Sequence, residues 1–269
     1  MFYIRTSTLS SWNDCPRREA AKIFGSVIES AGFSLRRDRM KKIVGAVIGT
    51  GVHAGAGEAL KEKKSGNAAF KYIDMVDISI SCFRDEVKDG VMYDDLSPNN
   101  NTCEKQIQRI SKVYWNRYYP EIVPVAIEVS IKAAINDDYT LTGHPDVITE
   151  NDIRDLKCGK VDRIYMPQLG GYSLLSRANR ITIPKLLMVD WIPRTDIRKP
   201  QKECKTFTYN AVESEALARS VIDTIIYQHS QFLSSGEPLA FPANPYSMLC
   251  GAKWCPAYGT NWCKIKQGV

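Results

Sequence analysis

Apolar residues recur at spacings of three and four through residues 40–63, 70–87, 103–114, 167–178 and 211–233, and each stretch reads as a helix with one buried face. A further helix is read near residues 12–24. Ser97 and Pro98 supply a start signal ahead of the 103–114 helix. Elsewhere the pattern shifts to period two. Residues 123–134, 139–148, 153–158, 186–192 and 204–209 alternate or form short β-branched blocks, as strands do. This order predicts an α/β fold, a mixed sheet flanked by helices. There is no internal repeat, and the run of asparagines at 99–101 is the sole trace of low complexity.

One junction between strands carries chemistry. Thr149, Glu150, Asn151 and Asp152 have turn composition and predict a hairpin. Centred between Glu150 and Asn151, the turn sets Ile148 against Ile153 and Asp146 against Asp155. Directly opposed residues share a face, with Cβ atoms roughly 4.5 to 5.5 Å apart, and the two-residue period adds Lys157 to that face. Facing carboxylates destabilise a sheet unless something neutralises them. A divalent cation does so, and Mg²⁺ or Mn²⁺ suits oxygen donors while keeping waters for reaction. Lys157 is then placed to orient water or steady charge developing on a phosphate. The same spacing also fits a solvated hairpin with incidental charges, and a bulge of one residue would part the two aspartates.

Two helices add candidates. The 40–63 helix carries His53 among Gly45, Gly49, Gly51, Gly55 and Gly57, each costing up to about 1 kcal/mol relative to Ala in a helix interior. That composition predicts close approach by another backbone or by a ligand. Gln168 and Tyr172, four apart, share one side of the 167–178 helix. An amide and a phenol can bond phosphate or stack on a base without reading sequence, although a tyrosine so placed can equally serve packing.

Asp146, Asp155 and Lys157, with eight and then one residue between them, resemble the signature of the PD-(D/E)XK nucleases. GTGVHAGAGEAL around His53 and QLGGYSLL with Gln168 and Tyr172 are similar to the histidine and Gln-x-x-x-Tyr motifs of the RecB-like exonuclease branch. The likeness covers roughly residues 1–175, and the C-terminal cysteines extend it. It implies a single restriction-endonuclease-like domain over residues 1–269 with a helical insertion at 65–120. It implies His53, Asp146, Asp155 and the Leu156 carbonyl as ligands of Mg²⁺ or Mn²⁺, with Lys157 assisting catalysis. Gln168 and Tyr172 would line the DNA path. Glu128, in VAIEVSI, is a secondary ligand candidate because related nucleases often carry an acidic residue there. The plainer readings are a core histidine at 53 and an outward strand charge at 128.

Cysteine is the second constellation. No apolar N-terminal signal region precedes the eight cysteines, so secretion is unsupported, and a reducing compartment disfavours disulfides. Cys250, Cys255 and Cys263 are separated by four and seven residues in a segment rich in Pro, Gly and Trp; Cys15 lies in WNDCPRR. One cysteine before the nuclease core and three after it resembles the iron-sulfur arrangement of the AddB nuclease and of the CRISPR-associated RecB-like exonucleases. The resemblance implies a structural 4Fe–4S cluster that joins residues 1–30 and 240–269 as an appendage. These gaps are wider than the family's usual two and five, and a tetrahedral Zn²⁺ site stays open. Cys158 points away from Lys157, while Cys82, Cys103 and Cys204 read as small buried hydrophobes.

Composition fits an intracellular enzyme: 269 residues, 44% hydrophobic and 25% charged, enough for one full core. No apolar run is long enough to span a bilayer. A net charge of +6, from 36 basic and 30 acidic residues, mildly favours polyanions. Arg36, Arg37, Arg39, Lys41 and Lys42 precede the histidine helix, and Arg194, Arg198, Lys199, Lys202 and Lys205 follow a strand. Such clusters hold phosphates without reading sequence, or are solvated faces. The absence of a phosphate-binding loop of the GxxxxGK[ST] type argues against ATP hydrolysis and autonomous unwinding. The expectation is a cytoplasmic DNA exonuclease, bacterial, archaeal or of a phage-infected host, acting on free ends or single strands. No membrane is involved; oligomerisation or protein partners in a recombination, replication or CRISPR complex fit the family. Two alternatives stand beside it: a catalytically weak, nuclease-fold DNA-binding subunit, and a zinc-stapled nucleic-acid-binding protein.

Overall fold

The structure is a computed structural model that describes residues 1–36, 42–159 and 164–264. The chain runs β1 (Phe2–Arg5), α1 (Thr6–Trp12), α2 (Pro16–Ile23), α3 (Gly25–Ser30), β2 (Lys42–Ile43), α4 (Val44–Ser65), α5 (Tyr72–Val87), β3 (Val91–Met92) and α6 (Asn100–Val113). A π turn at Tyr114–Tyr118 and a 3₁₀ turn at Tyr119–Glu121 lead to β4 (Ala126–Ile127), β5 (Ile131–Ala134), β6 (Tyr139–Gly143), β7 (Val147–Ile148) and β8 (Asp152–Lys157). Then come α7 (Met166–Ala178), β9 (Leu186–Trp191), β10 (Lys205–Asn210) and α8 (Ala211–Ser235).

Five strands form a mixed sheet in the order β10-β9-β8-β7-β4, in which only the β8–β9 pair is parallel. Three more form β1-β6-β5, and β2 pairs with β3. The β7–β8 register sets Ile148 against Ile153, as the hairpin reading predicts.

The two strands before that turn differ from expectation. Residues 123–134 divide into β4 and β5, and residues 139–148 into β6 and β7, with each half in a different sheet. One antiparallel register nevertheless runs through both pairs, matching Ala126 with Ile148 and Ile131 with Gly143. A long ribbon therefore bends from one sheet into the other. Glu128 takes up the bend on one side with a left-handed φ of 49°. On the other side Pro145 has no amide to give to a ladder.

The helix read near residues 12–24 is the shorter α2, and α1 and α3 on either side of it have no counterpart in the sequence reading. Pro16 begins α2, where its missing amide costs nothing, so Cys15 falls in the break. β1, absent from the sequence reading, is four residues long and pairs in parallel with β6. α6 starts not at Ser97 but at Asn99, whose side chain accepts from the Thr102 amide at 2.9 Å.

Glycines let the helices close on one another. A Cβ at Gly55 of α4 would lie 2.0 Å from Ser79 Oγ and 2.5 Å from the Met75 carbonyl of α5, and one at Gly170 of α7 would lie 1.9 Å from the Ser214 carbonyl of α8. Helix packing thus accounts for Gly51 and Gly55, whereas Gly49 faces open space. Val47, Ile48, Val52, Ala59 and Leu60 of α4 join a core with α5 and α6. A second core gathers Trp12, Phe24, Phe232, Phe241 and Trp262 from both ends of the chain. Among the described residues no helix is long and apolar enough to cross a membrane.

Candidate active site

Carried one step past the ends of the short strands, the registers place Glu128 opposite Asp146 and Asp146 opposite Asp155. The Glu128 amide donates to the Asp146 carbonyl at 3.0 Å, which fixes the first pairing. Three carboxylates thus form a row across β4, β7 and β8, at the point where the ribbon changes sheets. α4 brings His53 to its centre, with Nδ1 3.1 Å from Asp146 Oδ1. The Leu156 amide donates to Asp146 Oδ2 at 2.6 Å and holds the carboxylate in place.

Among the described residues His53, Glu128 and Asp146 each offer a ligand atom, all within 4.8 Å of one another. Glu128, a secondary candidate by sequence, takes the third place. Gly57 makes room for it, since a Cβ there would lie 3.1 Å from Glu128 Cγ. Asp155 stands beside this group but outside that distance. Its Oδ2 lies 2.6 Å from Lys157 Nζ, and Gln168 Nε2 approaches its Oδ1 at 3.4 Å. Gln168 Nε2 also donates to the Tyr172 hydroxyl at 3.0 Å. The two α7 residues share one side, as their spacing predicts, and that side meets the site, as the resemblance implies.

The electrostatics are those of a place short of positive charge. Burial weighs most on His53 and opposes its protonation, yet Asp146 raises its pKa to about 9. Burial likewise opposes ionisation of Asp146 but is outweighed by His53, Lys157 and the Leu156 amide, which hold it below the usual carboxylate range. Burial pushes Glu128 up to about 7, and repulsion from Asp146 adds to it. Asp155 is raised mainly by burial, against the pull of Lys157. Lys157 stays charged, because Asp155 and Asp146 overcome its own burial. Carboxylates crowded and desolvated in this way are stabilised by an added cation.

A cleft of about 1000 Å³ opens over His53, Glu128 and Lys157, walled by Gly49 of α4 and by Tyr165. Tyr165 places its ring 5.4 Å from Lys157 Nζ. Sequence reasoning passed over it, because a lone aromatic just ahead of α7 belongs to no periodic pattern. Of the basic residues expected to meet DNA, Arg37, Arg39 and Lys41 lie outside the described residues. Arg36 reaches the Ala252 carbonyl at 2.5 Å, tying it to the C-terminal segment. Arg194 is not on a solvated face: it is buried and pairs with Asp94 at 2.6 Å.

Cys15, Cys250, Cys255 and Cys263 line one small cavity together with Arg17 and Arg18. Arg17 donates to the carbonyls of Phe241, Trp262 and Pro238 at 2.9, 3.3 and 2.6 Å and interacts electrostatically with Cys263 and Cys15. Arg18 pairs with Asp14 and Glu19, each at 2.7 Å, yet its Nη2 is buried with no hydrogen-bond partner. Among the described residues no three cysteine sulfurs lie within 4.8 Å of one another. Cys103, Cys158 and Cys204 are buried as expected, whereas Cys82 is only half-buried.

The sequence matches no protein-family model and no curated protein. Its fold has a counterpart. A crystal structure from Eubacterium rectale named "Putative exonuclease" superposes with a TM-score of 0.51, covering 86% of this chain and 80% of that one at 11% identity. LHK-Exo in complex with dAMP aligns over 70% of this chain and 96% of its own at 12% identity, but with a TM-score of 0.29 it has no bearing on the fold. What the first match establishes is shared architecture.

Proposed function

We propose that this chain is a metal-dependent DNA exonuclease that hydrolyses phosphodiester bonds at free ends or on single strands, in DNA processing, recombination or repair. The observation that carries the reading is the row Glu128–Asp146–Asp155 with His53 against its centre and Lys157 at its edge. An imidazole and two carboxylates within 4.8 Å are a donor set for a hard divalent ion such as Mg²⁺ or Mn²⁺. Asp155 and the Leu156 carbonyl are the further ligands that the RecB-like resemblance implies. When bound, such an ion supplies Lewis acidity and neutralises charge on the phosphodiester.

The chain's own residues do the rest. Asp155 holds the Lys157 ammonium at 2.6 Å on the wall of the cleft, where it stabilises charge developing on a phosphate. Gln168, steadied by Tyr172, reaches Asp155 from α7 and restricts its rotation. The Leu156 amide anchors one oxygen of Asp146 and leaves the other facing His53. The shared fold with a protein called an exonuclease agrees with this reading.

The same proposal assigns a 4Fe–4S cluster to Cys15, Cys250, Cys255 and Cys263, with the structural task of fastening the two ends of the fold. The donor set fits: four cysteines line one cavity, Arg17 supplies compensating charge, and Arg18 Nη2 has a donor to spare. A tetrahedral Zn²⁺ site on the same four thiolates is the alternative.

Cleavage of end-labelled single-stranded DNA with Mn²⁺, compared between the wild type and Asp146→Asn, tests the catalytic reading. Activity confined to the wild type supports it. DNA binding without cleavage under any divalent cation would hand the case to the non-catalytic subunit.

A further inference from the structure

The segment that carries the last three cysteines also forms walls of two clefts. The larger, about 1000 Å³, runs from His53, Glu128 and Lys157 to Lys253 and Trp254. A second, about 650 Å³, shares Lys157 and Tyr165 with the first and leads away along Ser7, Ser10 and Ser11 to Tyr246 and Met248. The two meet at the ammonium of the candidate active site. Residues 246–249 thus line one cleft and residues 253 and 254 the other.

Ser247 is buried against Asp14 and Arg18, but other side chains of this segment stand clear of the core. Tyr246 is 94% exposed and Met248 86% exposed. Lys253 is exposed, and its ammonium sits 4.8 Å from the centre of the half-buried Trp254 ring, so a cation and an aromatic face share one end of the cleft. Arg36, bonded to the Ala252 carbonyl, adds a guanidinium next to them. Serine hydroxyls line the opposite path. Aromatic faces for bases, ammonium groups for phosphates and hydroxyls along the way are the ingredients of a groove for an unpaired strand.

We infer that this cysteine segment guides a single strand of nucleic acid across the active site, stacking one base on Trp254 ahead of Lys157 and another on Tyr246 beyond it. This deepens the nuclease reading and rests on it for the placement of the scissile bond. It also gives the cysteine cavity a second consequence, since a fixed geometry at Cys250 and Cys255 sets where both aromatic rings stand.

Fluorescence anisotropy with a labelled oligothymidine, measured without divalent cation, tests the inference. Trp254→Ala and Tyr246→Ala are each expected to weaken binding about tenfold, the scale of one lost base–aromatic stack, while Trp254→Phe recovers most of the loss. Tyr227→Ala, on the exposed side of α8, is the control and binds as the wild type does. Wild-type affinity in both alanine variants overturns the inference, and so does an equal loss for duplex DNA or a Phe variant as weak as the Ala variant. Because no turnover is needed, a protein that cleaves nothing leaves this measurement decisive. A protein that cleaves but binds without regard to either ring keeps the nuclease reading and loses this one.

Discussion

Glu128 and Asp146 face each other across a single antiparallel ladder, the Glu128 amide donating to the Asp146 carbonyl at 3.0 Å, at the step where that ladder passes from one sheet to the other. A left-handed φ of 49° at Glu128 accompanies the bend. A non-glycine residue in that region carries strain of order 1–3 kcal/mol, and such strain gathers at functional positions. The fold tolerates an unfavourable backbone here and sets two acidic groups side by side.

Removing one of those charges should therefore stabilise the empty protein and impair its function. Glu128→Gln keeps the shape and ends the repulsion, and is expected to raise stability by up to about 1 kcal/mol. Divalent-cation affinity should fall at least tenfold. Thermal unfolding in chelator and titration calorimetry with Mn²⁺ measure the two effects. A variant that binds Mn²⁺ as tightly as the wild type removes Glu128 from the site.

Asp155 is 1% exposed and held between Lys157 and Gln168. Asp155→Asn preserves volume and is expected to stay folded while losing cation-dependent cleavage by at least about a hundredfold. Circular dichroism and a single-strand cleavage assay are the checks. Wild-type rates in the variant would exclude Asp155 from the mechanism.

Protein purified without oxygen is expected to be brown, with about four irons per chain if the cluster is intact. Cys255→Ser should lose iron and colour together and unfold at a lower temperature. Zinc at one equivalent, with no visible absorbance, is the result that rejects the cluster.

His229, packed against the second core, gives a pH dependence of stability. It is fully buried, stacked on Phe24 at 3.8 Å, with Nδ1 2.6 Å from the Tyr139 hydroxyl. Burial lowers its pKa to about 4, against about 6.5 in an unfolded chain. The unfolded state thus takes up the proton first. Stability from the neutral ring is complete above about pH 6.5 and lost as pH falls through about 4, amounting to about 3 kcal/mol. Urea unfolding across this range should show a shallower decline for His229→Phe than for the wild type. Parallel curves would reject the assignment.

Glycines separate packing from access. Gly170→Ala drives a Cβ to 1.9 Å from the Ser214 carbonyl and is expected to cost more than about 2 kcal/mol. Gly49→Ala meets nothing within 4 Å and should stabilise α4 by up to about 1 kcal/mol. Because Gly49 walls the cleft, its extra methyl should weaken oligonucleotide binding. Denaturant midpoints and anisotropy read both.

The five longer helices and the Ile148–Ile153 pairing were legible in the sequence because periodicity and turn composition are local properties. The row Asp146–Asp155, His53 and the Gln168–Tyr172 pair followed from spacing and resemblance. What stayed hidden depended on long-range geometry. Alternation runs unbroken through VAIEVSI, so nothing local marks Glu128 as left-handed or as the point where β4 gives way to β5. β1 has only four residues to show a pattern, and a parallel partner more than a hundred positions away. Arg194 sat in a basic run that looked solvated, because its partner Asp94 is a hundred residues upstream.

The Arg17 guanidinium has bearing on synthesis. Its three carbonyl acceptors lie 221 to 245 residues further along the chain, so a nascent polypeptide leaving the ribosome presents this arginine to water until almost all of the described sequence has emerged. Premature termination after α8 would remove all three acceptors at once and leave α2 without the carbonyls that hold Arg17.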